Sequence, residues 1–119
     1  YKDVVDSKNQ PAALKNFISK NNKKAAAHSL KNLLIMIDNE GDLSVSSAIE
    51  RKKSVENHHK WVETAAAMGC HSIRINLFGV TDPKKWVENS KESAPKIANL
   101  HCTFKCNIKT NKLKRYKKV

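Results

Sequence analysis

The fold is decided by HSIRINLFG, residues 71–79, in which apolar and polar side chains alternate. Successive side chains of a strand point to opposite faces, so Ile73 and Ile75 share one face and the intervening Arg74 lies on the other. Asn76 falls on the same face as Arg74. The alternation therefore predicts a strand with one apolar face and one polar face.

A second strand is predicted in NLLIMID, residues 32–38. Its apolar residues are continuous rather than alternating, which is typical of a parallel strand covered on both faces. The polar segment at residues 38–41 is typical of a turn. The two predicted strands are separated by a stretch long enough to hold one helix.

Three helices are predicted around these strands. The first, residues 11–28, has Pro11 in its first turn, and the second, residues 47–68, starts with the possible capping box Ser47-x-x-Glu50. One face of the second helix is expected to be formed by Ile49, Val55, His58, Val62, Ala65 and Ala66.

The third helix is predicted to start at Thr81-Asp82-Pro83, by capping and by proline at its first position. Because a proline inside a helix costs about 3 kcal/mol, this helix is expected either to kink at Pro95 or to end near Glu92. Residues 103–110 form a weaker candidate strand. The regular alternation of helix and strand favours an α/β fold with a parallel sheet.

Length and composition exclude several classes of protein. The chain has 119 residues, 3 cysteines and a formal net charge of +12. One domain is the upper limit, and the apolar runs are too short for a membrane-spanning helix. A disulfide scaffold is not expected, and a cytoplasmic location is the default interpretation. The first residue is Tyr1, so any N-terminal targeting region is taken to be missing.

The positive charge is concentrated at the end of the chain. Residues 104–119 contain seven cations and no acid, whereas the first 103 residues contain 16 cations and 11 acids. This change in composition separates a mildly basic body from a Lys-rich tail. One alternative function follows, a small basic binding protein whose tail engages nucleic acid or an acidic partner. None of the usual nucleic-acid-binding motifs is present, so nucleic acid is not the expected partner.

Three segments together resemble the sugar phosphate isomerase/epimerase family, the xylose-isomerase-like (β/α)8 TIM barrels. They are residues 33–41, 50–62 and 68–76, and the similarity extends from about residue 1 to about residue 100. The resemblance implies a partial TIM barrel of two to three βα units in residues 1–100, followed by a divergent basic tail in residues 101–119. The tail is interpreted as a shifted reading frame or an unrelated fusion.

The resemblance also implies a function. Complete members of the family act on a sugar or sugar phosphate with a divalent metal, and one metal ligand is a Glu near the position that Asn111 or Lys112 occupies here. This chain lacks that Glu, so it is expected to be a fragment that is inactive alone and binds no metal tightly. The open edges of such a partial sheet are expected to permit self-association.

In TIM barrels, functional residues lie at the carboxyl ends of the strands. Asn76 is therefore a candidate for hydrogen bonding to a sugar hydroxyl, and Arg74 for binding an anionic group or an interior carboxylate. Asp38 and Glu40 follow the other strand, where a carboxylate could orient the substrate or a metal-bound water. The structural alternatives are a buried cation at Arg74 and ordinary turn residues at the other three positions.

The remaining histidines and cysteines are assigned structural roles. His58 is expected on the packing face of the second helix, with His59 to its side. The pair Cys70-His71 precedes a strand, and with His101, Cys102 and Cys106 it lacks the spacing typical of a zinc site. No catalytic residue and no metal ligand are assigned in this chain.

Overall fold

The computed structural model describes residues 2–102 and 107–110, with side chains described for residues 2–99. The elements in chain order are α1 (Lys2–Val5), α2 (Gln10–Ala27), β1 (Leu34–Met36), α3 (Ala48–Ala67), β2 (Ser72–Ile75), α4 (Pro83–Cys102) and β3 (Asn107–Thr110). The short α1 is the one helix of these that the sequence did not predict.

The three strands form a parallel sheet in the order β1-β2-β3. Ile35 is in register with Ile73, and Ile73 with Ile108. The prediction of an α/β fold with a parallel sheet is confirmed, and β3 lies within the weak third strand predicted at residues 103–110. Residues 103–106 of that strand, and the tail at residues 111–119, lie outside the described residues.

The predicted helix starts agree with the observed caps. The side chain of Asn9 accepts a hydrogen bond from the backbone nitrogen of Ala12, at 3.3 Å. Ser47 accepts from the backbone nitrogen of Glu50, also at 3.3 Å. Each of these caps satisfies one of the backbone donors that the first turn of a helix leaves unpaired.

Helix α4 continues through Pro95 to Cys102. The alternative that this helix ends near Glu92 is therefore wrong. Proline removes one backbone hydrogen bond, but Ser93 and Ile97 on either side of it are almost fully buried. Burial of a side chain such as Ile97 contributes about 1.5–3 kcal/mol, which offsets much of the cost of the proline.

The core lies between the helices and one face of the sheet. Ile73 and Ile75 are 0% and 1% exposed, as the alternation predicted. They belong to one apolar cluster with residues from α3 and α4, including Val62 and Ile97. Helix α2 adds an edge-to-face contact between Phe17 and Trp61, whose ring centroids are 6.3 Å apart.

Two predictions about burial are wrong. Leu34 and Met36 of β1 are 42% and 58% exposed, so β1 is covered on one face and not on both. The described helices pack on the face that contains Ile35, which leaves the opposite face open. Ile49 is 83% exposed. At 3.6 residues per turn it lies on the side of α3 opposite His58, and so away from the core.

None of the helices within the described residues has the length and apolar character needed to cross a membrane.

Candidate functional site

A polar cluster lies where β1 and β2 end. The Asn76 side-chain amide donates to Oδ1 of Asp38 at 2.5 Å, and Nη2 of Arg74 lies 3.3 Å from the same oxygen. The Asp38 side chain is 49% exposed and that of Arg74 is 27% exposed. The structure therefore brings together three of the four residues that the sequence proposed as substrate contacts.

The register of the strands explains this cluster. Met36 pairs with Arg74, so Asp38 and Asn76, each two residues further along, come to the same edge on the same face. The backbone nitrogen of Ile37 donates to the carbonyl of Arg74 at 2.9 Å, which extends the ladder to this point. Arg74 pairs with a carboxylate, one of the two roles considered for it.

Glu40, the fourth candidate, faces α3 instead. Its side chain is 8% exposed. Oε1 accepts a hydrogen bond from Nε1 of Trp61 at 2.5 Å and lies 3.0 Å from Nζ of Lys60. The side-chain amide of Asn57 donates to the backbone carbonyl of Glu40 at 3.3 Å. The carboxylates of Asp38 and Glu40 are thus bound to two different elements.

A small cavity of about 110 Å³ lies beside the cluster. It is lined by Ile37, Asp38, Asn39, Glu40, Gly41, Asp42, His58, Asn76 and Phe78. Pockets that enclose a whole small-molecule ligand are usually about 300–1,000 Å³. The cavity therefore has room for a few water molecules or for the edge of a larger polar molecule.

His58 is buried in the wall of this cavity. Its Nδ1 lies 2.6 Å from the carbonyl of Ser54, and since a carbonyl only accepts, Nδ1 carries the proton. Burial lowers the pKa of His58, although the Ser54 carbonyl opposes this effect. The packing position predicted for His58 is confirmed. Its contribution to the cavity was missed, because helices of a barrel are expected to lie outside the chemistry.

The loops after β1 and β2 are also bound to each other. The backbone nitrogen of Ser44 donates to the carbonyl of Phe78 at 2.8 Å, and that of Val80 donates to the carbonyl of Ser44 at 3.1 Å. Gly79 has φ 147°, and a Cβ there would lie 2.2 Å from the carbonyl carbon of Ser44. A glycine is therefore required for the two loops to approach this closely.

Arg51 of α3 holds the same region from the helix side. Its Nη1 donates to the carbonyls of Val45 and Ser46, both at 2.8 Å, and its Nη2 contacts Oε2 of Glu92 at 2.6 Å. Hydrogen bonds from Arg51 and then from Lys96 lower the pKa of Glu92. The buried guanidinium thus connects a loop at the carboxyl edge to α4.

The described residues do not fit a divalent-metal centre. Within the side chains that the structure describes, no three His, Cys, Asp or Glu residues are placed to hold a metal ion. Oδ1 of Asp38 is shared by Asn76 and the cation of Arg74, an arrangement that disfavours a second cation there. Asn111 and Lys112, where the resemblance places a ligand position, lie outside the described residues.

Cys70 and His71 lie at the opposite edge of the sheet. Cys70 is buried, and Nδ1 of His71 lies 2.8 Å from Oγ of Ser72. The side chains of His101, Cys102 and Cys106 fall outside those described. The prediction that these residues form no zinc site therefore stays a prediction.

The structure comparison finds a solved enzyme with a similar fold. A crystal structure of 3-keto-D-glucoside 4-epimerase (YcjR) from E. coli, in its apo form, matches the fold with a TM-score of 0.68 at 12% sequence identity. The match covers 82% of this chain and 41% of that chain, so this chain spans less than half of the solved enzyme. No protein-family model and no curated protein matches the sequence. The likeness shows an α/β fold shared with a sugar-modifying enzyme.

Proposed function

We propose that the chain is part of a sugar isomerase or epimerase with a xylose-isomerase-like (β/α)8 barrel, and that Asp38, Arg74 and Asn76 contact the sugar. The observation that carries the proposal is their cluster at the carboxyl ends of β1 and β2. In TIM-barrel enzymes this edge is where substrates bind. Glu40, also predicted from the sequence as a contact, is bound to α3 and is not among the proposed sugar contacts.

Two features support the barrel. The described sheet contains three parallel strands with helices packed on one face, as in consecutive units of a (β/α)8 fold. The open face carries Leu34, Met36 and Arg74, positions that would face the barrel interior once further strands were present. The match to 41% of a sugar epimerase chain is consistent with this interpretation.

The cluster has the chemistry needed to bind a polyol. The half-exposed carboxylate of Asp38 can accept hydrogen bonds from sugar hydroxyls, and the amide of Asn76 offers both donors and an acceptor. Arg74 adds further N–H donors beside this carboxylate. These groups bind and orient a sugar, and we assign none of them a proton-transfer role.

The divalent metal implied by the resemblance is proposed only for a complete enzyme, with ligands other than the described residues. Since the described side chains offer no site for that metal, we expect the 119-residue chain alone to turn over no aldose or ketose. The described sheet has three strands, whereas a closed barrel requires eight. Three strands cannot surround a substrate. Detectable metal-dependent turnover by the purified chain would contradict this expectation.

Binding can be tested separately from turnover. The full 119-residue chain, labelled with ¹⁵N, would be titrated with D-fructose and with D-fructose 6-phosphate while NMR signals are followed. We expect the side-chain signals of Asn76 and Arg74 to move with increasing sugar, with dissociation constants in the millimolar range, about 4 kcal/mol of binding free energy.

Asp38→Ala should abolish these shifts, because it removes the acceptor shared by Asn76 and Arg74. The control is Glu56→Ala, which removes an exposed carboxylate on α3 without a contact to the cluster. The proposal fails if neither sugar moves these signals, or if Asp38→Ala leaves the shifts unchanged.

A further inference from the structure

The loop after β1 presents the carboxylates of Asp38 and Glu40 to different elements. Asn39 has φ 62° and Gly41 has φ 94°, both in the left-handed region, so the chain turns sharply on either side of Glu40. Asp38 consequently contacts Asn76 at the end of β2, whereas Glu40 contacts α3.

The Glu40 side of the loop is tightly held. The carboxylate accepts from the indole of Trp61 and from Lys60, and the Glu40 backbone carbonyl accepts from Asn57. Three residues of one helix therefore bind a single residue of the loop. A carboxylate that stayed buried without these donors would carry a large desolvation penalty, so we expect Glu40 to be buried only in the docked conformation of the loop.

The loop also lies in close contact with the helix at its next residue. A Cβ on Gly41 would lie 2.3 Å from Oγ of Ser54, so only glycine permits this approach. Oγ of Ser54 in turn donates to the carbonyl of Glu50 at 2.9 Å, within α3. The backbone from residue 39 to residue 41 thus follows the surface of α3.

The Asp38 side of the loop is more exposed to solvent than the Glu40 side. The Asp38 side chain is half exposed, and the contacts that locate it, to Asn76 and Arg74, come from the neighbouring strand. Its position consequently depends on where the loop is placed. We propose that Glu40 is a positioning residue: by docking the loop on Trp61 and Lys60, it places Asp38 against Asn76.

The importance of this placement for sugar binding rests on the proposed function, but the placement itself can be measured without a sugar. Glu40 is 8% exposed and has its carboxylate turned to α3, whereas Asp38 is 49% exposed. Glu40 thus acts on a ligand through Asp38 rather than by direct contact, which revises the role proposed for it from the sequence.

The test uses ¹⁵N NMR of the full 119-residue chain and follows the indole N–H of Trp61 and the side-chain amide of Asn76. Glu40→Ala should move both signals towards the positions of groups without these hydrogen bonds. Glu40→Gln retains an oxygen that can accept from Trp61, so it should restore most of both signals. Trp61→Phe should move the Asn76 amide, although the two residues belong to different elements.

Controls separate placement from a general loss of structure. The indole of Trp86, which donates to the carbonyl of Leu77 at 2.6 Å, should keep its signal in every variant. Asp38→Ala should move the Asn76 amide and leave the Trp61 indole unchanged. If Glu40→Ala does not fold, the Asn76 amide signal of Trp61→Phe decides the question.

The proposal is overturned if the Asn76 amide keeps its wild-type signal in Glu40→Ala, or in Trp61→Phe when Glu40→Ala does not fold. Failure of the proposed function looks different, because the Asn76 amide would then respond to Glu40→Ala while neither D-fructose nor D-fructose 6-phosphate moved it. If sugar does bind, Glu40→Ala should weaken the affinity, and Glu40→Gln should largely restore it.

Discussion

At the carboxyl edge of the sheet, the loops after β1 and β2 are bound to each other and to α3 and α4. The amino edge, by contrast, is held mainly by the ends of helices. At the amino edge, Asn32 donates to Asn22 at 2.9 Å and to the carbonyl of Met68 at 3.2 Å. Leu30 and Leu33 nearby are 66% and 58% exposed.

The two edges of the sheet differ in how many polar contacts hold their loops. At the carboxyl edge, two buried charged residues connect a loop to α3. Arg51 of α3 donates to a loop carbonyl, and Glu40 of the loop accepts from Trp61 of α3. Such groups are costly when they are buried without partners, so we expect them to favour one arrangement of the loops. The edge that holds the proposed sugar contacts is therefore the edge with the more extensive polar network.

A pair of glycines provides the strongest test of this comparison. Gly79→Ala at the carboxyl edge would place a Cβ against the backbone of Ser44, and we expect a loss of about 3 kcal/mol in the free energy of unfolding. Gly69 at the amino edge has φ 74°, and a Cβ added there would meet no atom within 4 Å. We expect a loss of about 1 kcal/mol there.

Urea unfolding followed by circular dichroism measures both free energies. Equal losses for the two variants would show that the close approach of the loops at Gly79 is not tighter than the helix end at Gly69. The NMR spectrum of the Gly79→Ala variant should also show changes at Ser44, its partner in the bridge between the two loops.

The next largest effect is expected from the side chains that hold each edge. Arg51→Ala removes the side-chain donor to the carbonyl of Ser46 and leaves the carbonyl of Val45 with Asn89 alone, which should cost about 2 kcal/mol. Asn32→Ala at the amino edge removes two partly buried hydrogen bonds and should cost about 1 kcal/mol. The exposed Lys52→Ala on α3 serves as the control, with a change within about 0.5 kcal/mol.

Thermal or urea unfolding is the appropriate measurement. A smaller loss for Arg51→Ala than for Asn32→Ala would reverse the comparison between the two edges. The double variant Arg51→Ala with Glu92→Ala would then show how much of the effect comes from the ion pair.

The smallest effect is expected from pH. Burial lowers the pKa of His58 below its usual value of about 6.5, so the unfolded chain takes up this proton more readily than the folded chain. Stability from this group is complete above about pH 6.5 and falls as the pH is lowered towards the folded pKa. Urea midpoints measured between about pH 8 and pH 5 should therefore fall on acidification.

His58→Gln isolates the contribution of this histidine, because it removes the titrating group and leaves the exposed His28 in place. The wild type should lose more stability over this pH range than the variant does. An identical pH dependence for the two proteins would show that His58 does not take up a proton on unfolding.

Much of the fold could be predicted because it depends on local patterns. The alternation in β2 predicted the burial of Ile73 and Ile75, and the capping residue Ser47 predicted the start of α3. The burial of β1 on both faces was predicted wrongly. A continuous apolar run does not show which helices of the chain are available to cover it.

The polar cluster was predicted only in part. Asp38, Arg74 and Asn76 follow from strand order and side-chain alternation, which the sequence displays directly. The docking of Glu40 does not, because it depends on Trp61, 21 residues away on α3. A pattern such as Asn57-x-x-Lys60-Trp61, with three donors on neighbouring turns of a helix, is the signal that could have suggested a bound carboxylate.

The sequence by itself predicted the order of the three long helices and the strands, the parallel direction of the strands and the polar residues that follow them, since alternation and capping act within a few residues. Only the tertiary structure decided which carboxylate remained half exposed and which became buried. That choice depends on the left-handed turns at Asn39 and Gly41 and on donors from α3, which meet the loop only after the chain has folded.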